Sequence, residues 1–151
     1  MSSSTTRGTT GRIQDSPNRL VGAVFGVVYL LVGVLGFFVT TDVDFAATEG
    51  EPLIIFDVNP LANIVHLLVG ALLLFAAMKA VSAAKGANTL VGGVYLLLGI
   101  IGLFILDSEA NILALNGADN VLHFASALVL LGVGLSQDKN VRGDAPVVPG
   151  V

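Results

Sequence analysis

The sequence predicts an all-α integral membrane protein in which four transmembrane helices form a bundle of two parallel-repeat helical hairpins. Composition is the first reason, because 54% of the 151 residues are hydrophobic and only 12% are charged, against about 25% charged residues in soluble globular domains. The second reason is that the chain contains four long segments without a charged side chain. The third is a polar motif that occurs twice at the same internal spacing, close to the start of two of these segments.

The four uncharged segments have the length of membrane spans. Each one approaches or exceeds about 20 residues, the number that crosses a hydrocarbon core about 30 Å thick as a helix. Only helices and closed barrels satisfy every backbone group in lipid, and these segments lack the polar alternation of barrel strands. The predicted helical spans are Leu20 to Thr41, Val58 to Met78, Gly86 to Leu106 and Asn120 to Gln137.

Lysine and arginine give an orientation. All seven basic residues lie before the first span, between the second and third, or after the fourth, and therefore on one side of the membrane. The positive-inside rule places that side in the cytoplasm. We therefore expect a multi-pass protein of the inner membrane with both termini in the cytoplasm. The basic residues are Arg7, Arg12, Arg19, Lys79, Lys85, Lys139 and Arg142.

Charge and cysteine content exclude several classes of protein. The sequence pI is near 4.8 and no basic stripe is present, which argues against a nucleic-acid partner. With no cysteine, the chain has neither disulfides nor thiolate chemistry. Residues 1–18 and 138–151 contain too little apolar surface to fold, so we expect disordered cytoplasmic tails. The four-helix membrane domain is then predicted over residues 19–137.

The duplicated motif has the form Asn-x3-Asn-x2-His, starting at Asn59 and again at Asn116. A second pattern, Gly-x-Val-Tyr-Leu-Leu-x-Gly, occurs in the first span and again in the third. Together they define repeat one over residues 19–79 and repeat two over residues 86–137. Each repeat contains two spans, so both copies enter the membrane from the same side. This predicts a parallel repeat related by an axis along the membrane normal.

One face of the first span and one face of the third carry small residues at intervals of three, four or seven. Such faces let helices approach closely in lipid, where van der Waals packing drives association. We therefore predict contact surfaces, either within the chain or against a second copy; space for a flat cofactor or a pore is the alternative. The packing glycines are Gly22, Gly26, Gly33, Gly36, Gly92, Gly99 and Gly102.

The first asparagine of each motif is predicted to cap a helix. Asn59 is followed by Pro60, whose fixed φ and missing N–H suit the first turn. Asn116 occupies the equivalent place in the second copy, and Asp119 adds a favourable charge at the start of the fourth helix. The short apolar segment just before each cap is expected to lie at the outer interface, over the mouth of the bundle.

Six polar side chains form a candidate intramembrane cluster. The histidines lie about seven residues inside their helices, which at 1.5 Å per residue is roughly 10 Å deep. Ionisable groups at that depth are functional candidates, and the alternative is a hydrogen-bond network that joins the hairpins. The tyrosines lie nearer the middle of the membrane, so contact with the histidines is expected to need water. The cluster is Asn63, His66, Asn120, His123, Tyr29 and Tyr95.

These motifs resemble a bacterial membrane-protein family catalogued as domain of unknown function 4383. The resemblance rests on the two Asn/His motifs and on the Gly/Tyr pattern that begins at Gly26, and it covers about residues 19 to 137. It implies a small four-span inner-membrane protein. Since the family carries no established activity, the resemblance implies no catalytic residue.

Three functions remain open from the sequence. The first is a non-enzymatic integral membrane protein that acts as a scaffold or accessory subunit, with the lipid bilayer and a second copy or another membrane protein as partners. The second is a small-solute or proton pathway lined by the Asn/His/Tyr face. The third is a b-type haem protein in which His66 and His123 ligate one iron. A metal site is not expected, because two histidines fall short of the three or four ligands that zinc requires.

Overall fold

The four predicted spans are four long helices in the structure. The computed structural model describes residues 12–139. Each of the four helices is long and apolar enough to cross a membrane, which confirms the prediction of an all-α fold with four helices of membrane-spanning length. The helices are α1 (Pro17–Val39), α2 (Pro60–Lys79), α3 (Val81–Ile105) and α4 (Gly117–Ser136), with a short 3-10 helix at Ile13–Asp15 before them.

The helices are arranged as two hairpins. α1 packs along α2, and α3 packs along α4. Ala80 alone separates α2 from α3, so the start of α1, the α2–α3 junction and the end of α4 lie together at what we call the terminal end of the bundle. The segments 40–59 and 106–116 lie at the opposite end, the loop end. The hairpins meet mainly through α2 with α3 and α1 with α3, and less closely through α1 with α4.

Three helices, α1, α3 and α4, begin earlier than predicted and take in a charged residue, which for α3 is Lys85. Ser16 caps α1, its hydroxyl accepting from the backbone N–H of Arg19 at 3.3 Å, so Arg19 lies in the first turn. Asp119 lies in the first turn of α4. The prediction that the spans contain no charge is therefore wrong near these ends. Asp119 accepts from the backbone N–H of Asn116, whereas Arg19 and Lys85 donate to backbone carbonyls at the ends of α2 and α4. Charged side chains fit at helix ends because the backbone there is not fully paired.

A small β-hairpin, absent from the prediction, occupies the loop between α1 and α2. Strands β1 (Glu51–Leu53) and β2 (Phe56–Val58) are antiparallel, with Leu53 opposite Phe56. The turn between them places Ile54 at φ 70°, in the left-handed region that β-branched residues rarely adopt. Val58, at the end of β2, is buried. The hairpin therefore packs against the loop end of the helices, with β1 against α1 and β2 against α4.

The interior of the bundle alternates in polarity along its axis. The aromatic and histidine side chains of the candidate cluster lie nearest the loop end. Leu73 and Leu130 are fully buried two turns further along α2 and α4, and pack with Val91 and several alanines. Asn18 and Asn88, both fully buried, lie beyond them at the terminal end. An apolar layer therefore separates two polar layers.

Candidate functional site

The glycines of the two stripes face helices of the same chain. A Cβ added to Gly26 would lie 2.7 Å from the backbone N of Leu74, and one added to Gly33 would lie 2.8 Å from the backbone O of Asn63. In the other hairpin, Gly92 faces Leu131 and Gly99 faces the ring of Phe124. Gly22 lies near Asn88, on α3. The stripes therefore set the close approach of helices within the chain.

The first asparagine of each motif caps its helix and also fastens the loops. The Asn59 side chain accepts from the backbone N–H of Ala62 at 2.7 Å, and its amide donates to the carbonyls of Ala47 and Ile112, both at 2.8 Å. The Asn116 side chain accepts from the backbone N–H of Asp119 at 2.9 Å. Because Ala47 and Ile112 belong to different loops, Asn59 joins the two hairpins at the loop end.

The histidines and tyrosines form one continuous stack of four rings. His66 lies on Tyr29 with ring centroids 5.6 Å apart and an interplanar angle of 11°, and His123 lies on Tyr95 at 5.2 Å and 23°. The two tyrosine rings meet at 5.3 Å in a tilted arrangement. Contact is therefore direct, and the expectation that it needs water is wrong.

The second asparagine of each motif packs against a glycine of the partner helix. The Asn63 side-chain oxygen lies where a Cβ on Gly36 would be, and the Asn120 oxygen occupies the same place at Gly102. The Asn63 amide donates to the Thr40 hydroxyl at 3.0 Å. Both amide oxygens are buried without a conventional donor among the described residues. A weak contact with the glycine Cα–H explains why the same geometry recurs in both hairpins.

Hydrogen bonding distinguishes the two tyrosines. The Tyr29 hydroxyl donates to the Ser126 hydroxyl at 3.0 Å and joins α1 to α4. The Tyr95 hydroxyl is buried with no hydrogen-bond partner within residues 12–139, as are the Nδ1 atoms of His66 and His123. The stack is therefore symmetric in ring packing and asymmetric in hydrogen bonding.

The space at the stack does not fit a haem held between the two histidines. The tyrosine rings lie between His66 and His123 in the stack. The cavity that both histidines line has a volume of about 20 Å³, which is room for about one water molecule. A haem at this place needs both tyrosines to leave the core. These residues therefore fit a packed ring stack better than an axial ligand pair.

A polar pocket of about 420 Å³ lies at the loop end and is separate from the stack. Its acidic side chains are Glu49, Asp57 and Asp107, and Asn111 lines it as well. Among the residues that the structure describes, no group of three or more histidine, aspartate or glutamate side chains is placed to hold a metal ion. The pocket is therefore an acidic surface without the geometry of a metal site among the described residues.

Asp119 makes a tertiary contact, whereas the sequence predicted only a favourable charge at the start of the fourth helix. Its carboxylate accepts from the backbone N–H of Asn116 at 3.0 Å and from that of Asp57 at 3.1 Å. The first bond completes the cap of α4, and the second fastens β2 to α4. Capping pattern alone predicts the first bond, whereas the second depends on where the β-hairpin lies.

The terminal polar layer was also missed. The Asn88 amide donates to the backbone and side-chain oxygens of Asn18, at 2.9 and 3.0 Å, and the Asn18 amide donates to Asp138 at 2.9 Å. Burial by itself raises the pKa of Asp138, but hydrogen bonds from Asn18 and Ser16 and the charge of Lys85 outweigh it, so that the pKa lies below the usual 3.8. Residues 16–18 and 138 were predicted to lie in disordered tails, but they contact each other in the structure. Residues 1–11 and 140–151 of the predicted tails lie outside the described part.

Arg19 donates hydrogen bonds at the same end of the bundle. Its Nε donates to the backbone carbonyl of Ala77 at 2.7 Å, and Nη2 lies 3.5 Å from the carbonyl of Met78. These carbonyls belong to the last turn of α2, where backbone acceptors lack helical partners and a cation is favourable. Arg19 therefore fastens the start of α1 to the end of α2.

The comparisons with known proteins give a family and no activity. No curated protein and no solved structure matches the chain. One family model, described as domain of unknown function (DUF4383), matches residues 19–136. That match covers all four helices except the first two residues of α1, and includes every residue of the ring stack and both asparagine caps. The chain is therefore a member of the domain of unknown function 4383 family.

Proposed function

We propose that the protein is a non-enzymatic integral membrane protein that acts by association, as a scaffold or accessory subunit of a membrane assembly. The proposal includes a parallel duplication of the two hairpins and an inner-membrane orientation with both termini in the cytoplasm, which the seven basic residues support. In this orientation the loop end faces away from the cytoplasm.

The observation that carries the proposal is the apolar surface of the loop end. Ile54 and Ile55, at the tip of the β-hairpin, are 88% and 63% exposed, and Phe45 and Ile112 are also exposed in the surrounding loops. These side chains lie outside the four helices. Large apolar side chains grouped on a surface favour contact with a protein or with the membrane interface.

The contacts of the buried polar side chains support the same proposal. The described polar side chains between the helices contact other parts of this chain, as in the bond from Tyr29 to Ser126 and the bond from Asn63 to Thr40. Both bonds join helices or their ends. We infer that the ring stack holds the two hairpins together, and that the outer surface of the bundle is where a partner binds.

The two alternatives have less support. A proton or solute pathway needs polar groups along the whole bundle axis, whereas Leu73 and Leu130 are fully buried between the polar layers. A bis-histidine haem needs space that the rings of Tyr29 and Tyr95 occupy. Flux measurements in proteoliposomes and an absorption spectrum of the purified protein test these alternatives directly.

The test of association uses two variants of the loop end. In native membranes, the tagged protein is cross-linked and recovered partners are identified by mass spectrometry. The double variant Ile54→Asn, Ile55→Ser removes the apolar tip, and asparagine tolerates positive φ better than isoleucine. The control is Glu109→Ser, an exposed position in the other loop.

We expect the wild-type protein and the Glu109→Ser control to recover the same partner, and the tip variant to recover about fivefold less. A wild-type protein that runs as a monomer without partners contradicts the association proposal. Equal recovery by all three proteins contradicts the assignment of the loop end.

A further inference from the structure

We propose that the cleft between α1 and α4 binds a neutral, membrane-soluble molecule that has an apolar body and a carbonyl group at its polar end. The cleft has a volume of about 350 Å³, at the lower end of the roughly 300–1,000 Å³ of small-molecule sites. Nothing in the association proposal depends on this site.

The walls of the cleft are apolar and open toward the side of the bundle. Val24, Val28 and Val32 line it from successive turns of α1, and Leu122 and Val129 line it from α4. Val24 and Val28 are each about half exposed. These positions lie within membrane-length helices, so the open side faces lipid and a molecule dissolved in the bilayer enters without crossing water.

The inner end of the cleft is polar. Tyr29, His66 and Ser126 line it, and both Tyr29 and Ser126 are more than nine-tenths buried. Ser126 accepts from Tyr29, which leaves the hydrogen of the Ser126 hydroxyl as a donor. The Nδ1 of His66 is buried without a partner among the described residues. A carbonyl oxygen at this end of the cleft accepts a hydrogen bond from the Ser126 hydroxyl. The apolar walls offer this hydroxyl no acceptor.

Charge at the cleft excludes an anionic head group. Asp119 lines the loop-end side of the cleft, and Asp57 lies beside it, its backbone N–H donating to the Asp119 carboxylate. None of the lining residues is lysine or arginine. A phosphate or carboxylate head at this place meets a like charge without a cationic partner, which is unfavourable at low dielectric. The chemistry therefore selects a neutral head over that of an anionic lipid.

The other side of the bundle provides an internal comparison. The sequence repeat pairs Ala125 with Leu68, Ser126 with Val69 and Val32 with Leu98, so the matching positions between α2 and α3 carry larger or fully apolar side chains. Val69 and Leu98 pack against the hydrophobic core there, and α2 contacts α3 more closely than α1 contacts α4. The Ser126 hydroxyl of the cleft thus has no counterpart at the matched position of α2, because the two halves of the sequence differ there.

The chain is suited to a direct binding measurement. It contains two tyrosines and no tryptophan, so all tyrosine emission comes from the ring stack, and Tyr29 lines the cleft. A benzoquinone with a short alkyl tail is a neutral carbonyl probe that quenches this emission. Proteoliposomes of phosphatidylcholine are titrated with the quinone and, separately, with the matching alkylbenzene as competitor.

The variants separate filling of the cleft from a general change in the helix. Ala125→Phe fills the cleft, and Leu68→Phe places the same side chain at the matched, lipid-exposed position of α2. We expect saturable quenching of the wild type, a half-saturating concentration raised at least about tenfold by Ala125→Phe, and a change within about twofold for Leu68→Phe. Ser126→Ala raises it about fivefold through the lost hydrogen bond. Val129→Phe is a second filling variant for the case in which Ala125→Phe does not fold.

Four results overturn the proposal. The first is linear quenching that does not saturate in the wild type, and the second is unchanged binding in a folded cleft-filling variant. The third is competition by the alkylbenzene as strong as that of the quinone, since the polar end then has no role. A disulfide between two copies carrying Ala125→Cys, absent with Leu68→Cys, shows instead that a second copy covers the cleft and also overturns it; the chain has no native cysteine to confuse this readout.

Discussion

The crossing of α1 and α2 at Gly26 and Gly70 gives the most direct test of how the hairpin is held. A Cβ added to Gly70 would lie 2.7 Å from the backbone N of Leu30 and 2.8 Å from the backbone O of Gly26. Both atoms are backbone, so neither can move by rotating a side chain. The helices must separate by about 0.7 Å to restore ordinary contact, which costs van der Waals energy along the crossing.

The size of the effect follows from two opposing terms. Replacing glycine by alanine within a helix stabilises it by up to about 1 kcal/mol, whereas overpacking a tight interface costs about 1–3 kcal/mol. Gly93→Ala on α3 isolates the first term, because a Cβ there meets nothing within 4 Å. The difference between the variants therefore estimates overpacking alone. We expect Gly70→Ala to be less stable than Gly93→Ala by about 2 kcal/mol.

The assay is reversible unfolding in mixed micelles, in which the denaturing detergent fraction is raised and helix content is followed by circular dichroism. The free energy of unfolding is compared for the wild type, Gly70→Ala and Gly93→Ala. Equal stability of the two variants refutes the reasoning, because it means that the backbones are not held in contact at Gly26. A Gly26→Ala, Gly70→Ala double variant is expected to cost less than the two single variants together, since both side chains separate the same crossing.

Three further predictions concern polar groups. Tyr29→Phe should destabilise the bundle by about 0.6–1.7 kcal/mol through the lost bond to Ser126, whereas Tyr95→Phe, which removes an unpartnered hydroxyl, should be neutral or stabilising; unfolding in mixed micelles distinguishes the two. Asn88→Ala should cost about 1–3 kcal/mol, because it leaves the buried oxygens of Asn18 without their donor, and equal stability with the wild type contradicts this. The pKa of Asp138 is lower in the folded protein, so its stabilising contribution is complete above the unfolded pKa of about 3.9 and is lost as the pH falls through the folded value. In the Asp138→Asn variant, the free energy of unfolding should therefore fall less steeply with decreasing pH below about pH 4. An unchanged pH dependence contradicts the stabilising role of the Asp138 carboxylate.

The predictions that succeeded rest on local pattern. Uncharged length located four helices to within about three residues at most ends, and the period of the helix placed Asn63, His66 and Gly70 on one face of α2. Asn59 followed by Pro60 gave the start of α2 from capping chemistry alone. These features depend only on residues that are close together in the chain, so a single sequence is enough to predict them.

The features that were missed are contacts between distant segments. The bond from Asp119 to the backbone of Asp57 joins residues far apart in the chain, and Asp138, placed in a disordered tail, binds Asn18 of the first helix. Nothing in the local sequence of either residue indicates its partner. The β-hairpin with Ile54 at positive φ was missed for a further reason, since isoleucine is a poor residue for that turn and its sequence carries no turn signal.

The sequence by itself determined that four helices are long and apolar enough to cross a membrane, which faces of them are small or polar, and where two of them begin, because hydrophobic length, helical period and capping are properties of neighbouring residues. Only the tertiary structure decided that the glycine stripes face helices of the same chain, that His66, Tyr29, Tyr95 and His123 form one stack, and that a cleft opens between α1 and α4. The two halves of the sequence are alike, so the choice of which helices separate depends on how side chains of slightly different volume fill the space between them. Packing of that kind is decided by all the contacts together, and no single segment contains it.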